Sequence, residues 1–208
     1  MGKKLRYMLV LGIISVITAV AVGATYVTTK EKIRAREDAR RMEAILTALP
    51  GLDGQPQEVT PPNVDPEEKV YKGLDKDQKV IGYAALGKAQ GYSSTIKTMV
   101  GLSSDMGKVL AIKVLAQSET PGLGTRVTEI ATTRTLWRLI MGGGETAAAE
   151  PSTPWFQNQF KDKALNQLTV VREADPNKIQ AITGATITTK AVVAAVEDGV
   201  KRIKASVK

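Results

Sequence analysis

The chain has 208 residues, enough for a membrane anchor and one domain of ordinary size; 43% are hydrophobic and only 4% aromatic, so any core is aliphatic. It contains neither cysteine nor histidine, which excludes disulfides, iron–sulfur and haem ligation by those residues, and nearly every transition-metal site, leaving redox chemistry to an organic cofactor. The net charge of +8 is concentrated at the front: residues 1–41 carry nine Lys or Arg against three acids, leaving +2 for the rest. Basic charge bracketing an apolar stretch points to anionic lipid headgroups, whereas nucleic-acid binding calls for basic residues spread over the folded domain.

Met8–Val27 is an uncharged, mostly apolar run between Arg6 and Lys30. Twenty helical residues span about 30 Å, the hydrocarbon thickness of a bilayer. Tyr7 and Tyr26 stand where interfacial aromatics belong. A cleavable signal peptide is the competing reading, but the run is longer than a usual signal core. We therefore expect an uncleaved anchor over residues 1–29. Three basic residues precede the span and six follow in Lys30–Arg41. That tally by itself favours a cytoplasmic domain, but acids are interspersed among the later charges, and large domains translocate largely regardless of charge.

Residues 30–68 read as a juxtamembrane helix and linker. The helical pattern runs from Thr28 to Leu49, with Ile33, Met42, Ile45, Leu46 and Leu49 apolar, until Pro50-Gly51 stops it. Pro56, Pro61, Pro62 and Pro66 mark an extended loop behind it. Residues 69–208 form the expected folded domain. Strands are predicted at Lys69–Lys72, Lys79–Leu86, Ile96–Leu102 and Val109–Leu115, joined by short turns as an antiparallel meander. Val127–Met141 reads as a helix, Gly142–Pro154 as a loop, Lys178–Ile182 as a last strand and Thr188–Lys204 as a closing helix. The fold class is α+β: one transmembrane helix, then a small antiparallel-sheet domain with flanking helices.

Two loops carry candidate chemistry. Thr183-Gly184-Ala185-Thr186-Ile187-Thr188 lies between the last strand and the last helix. Gly184 allows close backbone approach, Ala185 adds little bulk, and the following helix presents unpaired N–H groups, so the segment suits a phosphate. The plainer alternative is a Thr-rich N-cap. Glu119-Thr120-Pro121-Gly122-Leu123-Gly124, at the end of the fourth strand, is a tight Gly/Pro loop that offers Leu123 as an apolar surface; by itself it is also a plain turn.

These two loops occur in order with Gly91-Tyr92-Ser93-Ser94-Thr95-Ile96-Lys97 and Trp155-Phe156-Gln157-Asn158-Gln159-Phe160. Together they resemble the FMN-binding domain family, in the branch formed by the G subunits of Rnf-type ion-translocating ferredoxin–NAD oxidoreductases. The resemblance covers roughly residues 69–204. It implies FMN joined by a phosphoester to Thr186, the last Thr of the family's Ser/Thr-Gly-Ala-Thr motif, by a separate flavin-transferring enzyme. It also implies a cofactor site that includes Thr183, Gly184, Ala185, Glu119, Thr120, Gly122, Leu123 and Gly124, with Tyr92 as a further wall. Other membrane and redox subunits would be its partners. The expected setting is the cytoplasmic membrane with the flavin domain outside, in an electron relay without stand-alone catalysis. One position departs from the family pattern: an Asp usually stands three residues before the motif's first Thr, and here it is Gln180. The alternatives are the C subunit of a Na⁺-pumping NADH–quinone reductase, a membrane-anchored module binding a free ligand without redox, and a purely structural assembly subunit.

Overall fold

In a computed structural model of the chain, residues 2–60, 64–65, 67–130 and 153–207 are described. The chain divides into two compact units, Met1–Arg41 and Met42–Lys208. The first is a single stretch of helix α1, which runs Lys3–Ala48 and is long and apolar enough to cross a membrane, with an 18-residue window of mean hydropathy 2.3. Its Ser and Thr hydroxyls do not stand free: Ser15, Thr18, Thr25, Thr28 and Thr29 each donate to a carbonyl three or four residues back. That satisfaction lowers the cost of placing them in hydrocarbon.

The second unit is built on a six-stranded, wholly antiparallel sheet in the order β1 to β6. The strands are β1 Gln57–Glu58, β2 Val70–Leu74, β3 Val80–Gln90, β4 Thr95–Ser103, β5 Lys108–Ala116 and β6 Lys163–Ala164. From β2 to β5 the sequential order follows from the short turns, since a tight turn can only join antiparallel neighbours. The four predicted strands are present, β3 extending four residues further. The Pro-rich segment contributes β1, and β6 closes the far edge; both are two residues long and carry no legible period. The predicted last strand is β8, Ile179–Gln180, which pairs in parallel with β7, Val170–Val171. The closing helix, α3, runs Thr186–Ser206, starting two residues earlier than the pattern predicts. Of the helix expected over Val127–Met141, the described part is a 3-10 turn at Gly124–Thr128; residues 131–141, with most of the Gly142–Pro154 loop, lie outside the described residues.

Both sheet faces are covered, so the central strands are apolar almost continuously. Val70, Ala85, Ile96, Val100 and Leu102 face α3 with Val192, Val196 and Ile203. Their neighbours Tyr71, Ala84, Leu86 and Met99 face the end of α1, where Ala44, Ile45, Ala48 and Leu49 are buried. Glycines set how closely the helices approach. A Cβ on Gly87 would lie 1.8 Å from the carbonyl oxygen of Ala195, and one on Gly101 would lie 1.8 Å from that of Ala48. The short helix α2, Trp155–Asn158, seats Phe156 in the core, and Phe160 follows it four residues on; both are fully buried. Between them, Gln157 accepts from the Val114 N–H at 3.4 Å and donates to the Val127 carbonyl at 2.9 Å.

Candidate functional site

Three segments far apart in sequence meet at the start of α3. The turn Ile182–Ala185 closes on itself, Ala185 N–H donating to the Ile182 carbonyl at 2.9 Å, with Gly184 at φ +80°. Thr189 straps the turn to the helix, its hydroxyl accepting from Ile182 N–H at 3.1 Å and donating to the Ala185 carbonyl at 3.0 Å. Ala185 occupies the N-cap position and no side chain caps the helix. A Thr-rich N-cap is therefore not what this segment forms. The N–H groups of Thr186, Ile187 and Thr188 have no intrahelical acceptors, and no acid occupies the first turn. An anion there would meet free donors and the positive end of the helix dipole.

The second segment is the loop after β5. Gly122, at φ +74°, donates its N–H to Thr125 Oγ1 at 3.0 Å, and Leu123 N–H donates to the Thr120 carbonyl at 3.2 Å. This loop turns Leu123 outward, 43% exposed, against the other loop: a Cβ on Gly184 would lie 3.0 Å from Leu123 Cδ2. The third segment is the tight turn 91–94, closed by Gly91 N–H on the Ser94 carbonyl at 2.8 Å, with the Tyr92 ring exposed.

The cleft enclosed is about 530 Å³, lined by Tyr92, Thr120, Leu123, Gly124 and the run Gly184–Thr188. Six of the residues proposed from sequence therefore share one wall system with Thr186: Tyr92, Thr120, Leu123, Gly124, Gly184 and Ala185. Three do not line it. Thr183 is exposed on the turn, Gly122 has its N–H engaged, and Glu119 is buried behind the wall. Ile187 and Thr188, which belong to the phosphate-suited segment but not to the cofactor residues that the resemblance implies, also line the cleft. Ile187 is 56% exposed although apolar and at the start of a packed helix, a signal that only its outward position reveals.

Glu119 is the electrostatic centre of this region. Its carboxylate accepts from Thr188 Oγ1 at 2.7 Å, from the N–H groups of Tyr92, Ser93 and Ser94 at 3.0–3.1 Å, and from Ser94 Oγ at 3.3 Å. Burial pushes this carboxyl up, but the Thr188 hydroxyl and the three backbone donors outweigh it and hold it below the ordinary carboxylate range. Gln180 lies on β8, where its N–H and carbonyl are clasped by the Gln159 side chain at 2.7 and 3.4 Å.

The geometry separates the hydroxyls of the motif. Thr188 is committed to Glu119 and Thr189 to the turn, and both are buried. Thr183 is exposed but off the cleft. Thr186 lines the cleft, and its hydroxyl makes no hydrogen bond among the described residues. The arrangement fits a planar apolar ring bearing a phosphate: apolar Tyr92, Leu123 and Ile187 on the walls, and free amides at the helix start. Its volume lies within the roughly 300–1,000 Å³ typical of small-molecule sites. Among the described residues no cluster of acidic groups suits a metal ion.

The FMN-binding domain profile matches residues 91–201, from the Tyr92 turn through most of α3. The G subunit of the ion-translocating oxidoreductase complex of Methanosarcina acetivorans is 29% identical over 198 residues, covering 93% of this chain and 90% of that one. The G subunit of the proton-translocating ferredoxin:NAD(+) oxidoreductase complex of Clostridium ljungdahlii is 34% identical over 137 residues, covering 65% of this chain and 60% of that one. Among solved structures, the C subunit of the Na(+)-translocating NADH-quinone reductase from Parabacteroides distasonis shares the fold. Its TM-score is 0.57 at 18% identity, covering 87% of this chain and 96% of that one.

Proposed function

The chain belongs to the FMN-binding domain family, and from that premise we propose that it is a membrane-anchored flavoprotein subunit of an Rnf-type ion-translocating ferredoxin–NAD oxidoreductase, relaying electrons through FMN held covalently on Thr186. The observation that carries the attachment is that Thr186 alone in its motif combines a place in the cleft with an uncommitted hydroxyl. Its Oγ displaces AMP at the FMN phosphorus of FAD: the new P–O bond forms to Thr186, the bond to AMP breaks, and the hydroxyl proton is lost. A separate flavin-transferring enzyme carries that step.

Bound FMN supplies one- and two-electron exchange. The chain's residues hold and orient it. The free amides of Thr186, Ile187 and Thr188 face the phosphate charge. Gly184 and Ala185 keep the approach open. Leu123, with Thr120, Gly124 and Tyr92, walls the ring from solvent, while Thr183 and Gly122 shape the turns and Glu119 braces the loops from behind. Residues 42–208 fold as the flavin-bearing unit, and residues 1–29 anchor it.

We place the anchor in the cytoplasmic membrane with the flavin domain outside, where lost cofactor could not easily be replaced and a covalent bond removes the dissociation equilibrium. One span without charged residues offers no ion path, so ion translocation belongs to the other subunits. The curated relatives favour this reading over the C subunit of the quinone reductase, whose likeness is one of fold. The test is direct. The purified chain from cells containing the transferring enzyme is expected to gain the mass of FMN less water, and its denatured band to fluoresce. Both signals are expected to vanish in Thr186→Ala; their survival there would place the flavin elsewhere.

A further inference from the structure

Glu119 lies behind the cleft, not in its wall, yet every segment of the cleft is bonded to it. Its carboxylate takes three consecutive backbone N–H groups from Tyr92, Ser93 and Ser94 and one hydroxyl from Thr188 in the first turn of α3. Its own backbone begins the loop that carries Thr120, Leu123 and Gly124. The two glycines beside it are there to admit it. A Cβ on Gly91 would lie 2.5 Å from Glu119 Oε1, and one on Gly124 would lie 2.6 Å from Glu119 Cβ and 2.8 Å from Thr188 Oγ1. Among the described residues no Lys or Arg pairs with it. A buried, hydrogen-bonded carboxylate without a counter-cation is a fixed negative charge at the back of an electron-carrying site.

We propose that Glu119 is the positioning residue of the flavin cleft: its buried carboxylate clamps the Tyr92 turn to the first turn of α3 and sets a fixed negative charge behind the ring. This rests on the reading of the cleft as the FMN site. It assigns to the charge two consequences that neutral packing would not have. The Tyr92 turn is held by N–H groups converging on both oxygens of an anion, so an amide, which keeps one acceptor and turns its NH2 toward the donors on the other side, loosens it. Reduction of a flavin adds negative charge, so removing the fixed anion raises the midpoint potential.

The test uses the full-length chain in detergent, as wild type, Glu119→Gln and Thr188→Val, each with and without Thr186→Ala. In the flavin-free Thr186→Ala background, amide exchange at Tyr92, Ser93 and Ser94 is expected to become at least about ten-fold faster in Glu119→Gln, while the β3–β4 ladder keeps its protection. Exchange within twofold of the parent overturns the clamp. In flavin-loaded protein, Glu119→Gln is expected to raise the midpoint potential and alter the shape of the visible flavin band. Faster exchange with both of these unmoved also overturns the proposal and leaves a simple loop staple. Should Glu119→Gln fail to fold, Thr188→Val decides. It removes one arm of the clamp without burying a charge, and it is expected to loosen the same three amides; unchanged exchange there sinks the clamp. A wild-type chain that acquires no flavin refutes the FMN reading separately, because the exchange measurement needs none.

Discussion

At the scale of single residues, carboxylates organise this domain by accepting several donors each. Glu119 does so behind the cleft. Glu67 does so at the sheet, where Lys88 and Lys97 face each other directly across β3 and β4 and would repel. Glu67 bonds both. The Lys88 hydrogen bond, then that of Lys97, lowers its pKa from an ordinary 4.5 to about 2. The sign of the consequence follows: the unfolded chain takes up this proton first as pH falls. Stability from the site is full above the ordinary value of 4.5 and declines as pH drops toward 2. Glu67→Gln is therefore expected to lower the unfolding midpoint at pH 7 and to match wild type near the acid end of that window, as read by thermal or urea unfolding across pH. A Glu67→Gln curve parallel to wild type at every pH would contradict the assignment. Neither partnership was legible in the sequence. Glu119 and Thr188 are 69 residues apart, and Glu67 sits in a Pro-rich stretch that reads as linker.

At the scale of elements, the sheet holds a helix against each face through backbone contact at glycine. Gly87 lies under Ala195 and Gly199 of α3, and Gly101 lies under Ala48 of α1. Placing a methyl group 1.8 Å from a carbonyl oxygen forces the helix away from the sheet. Gly87→Ala and Gly101→Ala are each expected to cost about 1–3 kcal/mol, the usual range for overpacking, seen as a lower thermal midpoint. The two should differ in the site. Gly87→Ala displaces α3, whose first turn lines the cleft, so it is expected to reduce flavin incorporation as well, while Gly101→Ala leaves incorporation near wild type. The strands themselves were readable because their apolar runs and turn residues are local signals. β1 and β6 were not, because two-residue strands are defined by the edge they pair with and carry no period of their own.

At the scale of the molecule, the boundary of the compact domain lies inside α1. The second unit begins at Met42, and Ala44, Ile45, Ala48 and Leu49 cover the face formed by Tyr71, Ala84, Leu86 and Met99. A chain beginning at Met42 is expected to remain folded and monomeric without detergent. One beginning at Leu52 loses Ile45 and Leu49, each a buried aliphatic side chain whose removal costs about 2–5 kcal/mol, and is expected to aggregate or melt far lower. Size-exclusion chromatography and thermal denaturation of the two chains check this; equal behaviour would mean that the end of α1 is dispensable to the fold.

The sequence by itself determined the apolar span, the order of the antiparallel meander, and the Thr183–Thr186 motif with its family. Each is written in neighbouring residues: a hydropathy run, a two-residue period between turns, a small-residue turn before a helix. Tertiary structure decided what lies between distant residues. It engaged the hydroxyls of Thr188 and Thr189 and placed Thr183 off the cleft, leaving Thr186 in the cleft with its hydroxyl uncommitted among the described residues. It added Ile187 and Thr188 to the cleft and moved Glu119 from the wall to the hub behind it. The physical reason is the same in each case: whether a polar group is free or engaged depends on its partner, and here those partners come from loops that only the packing of α3 on the sheet brings together.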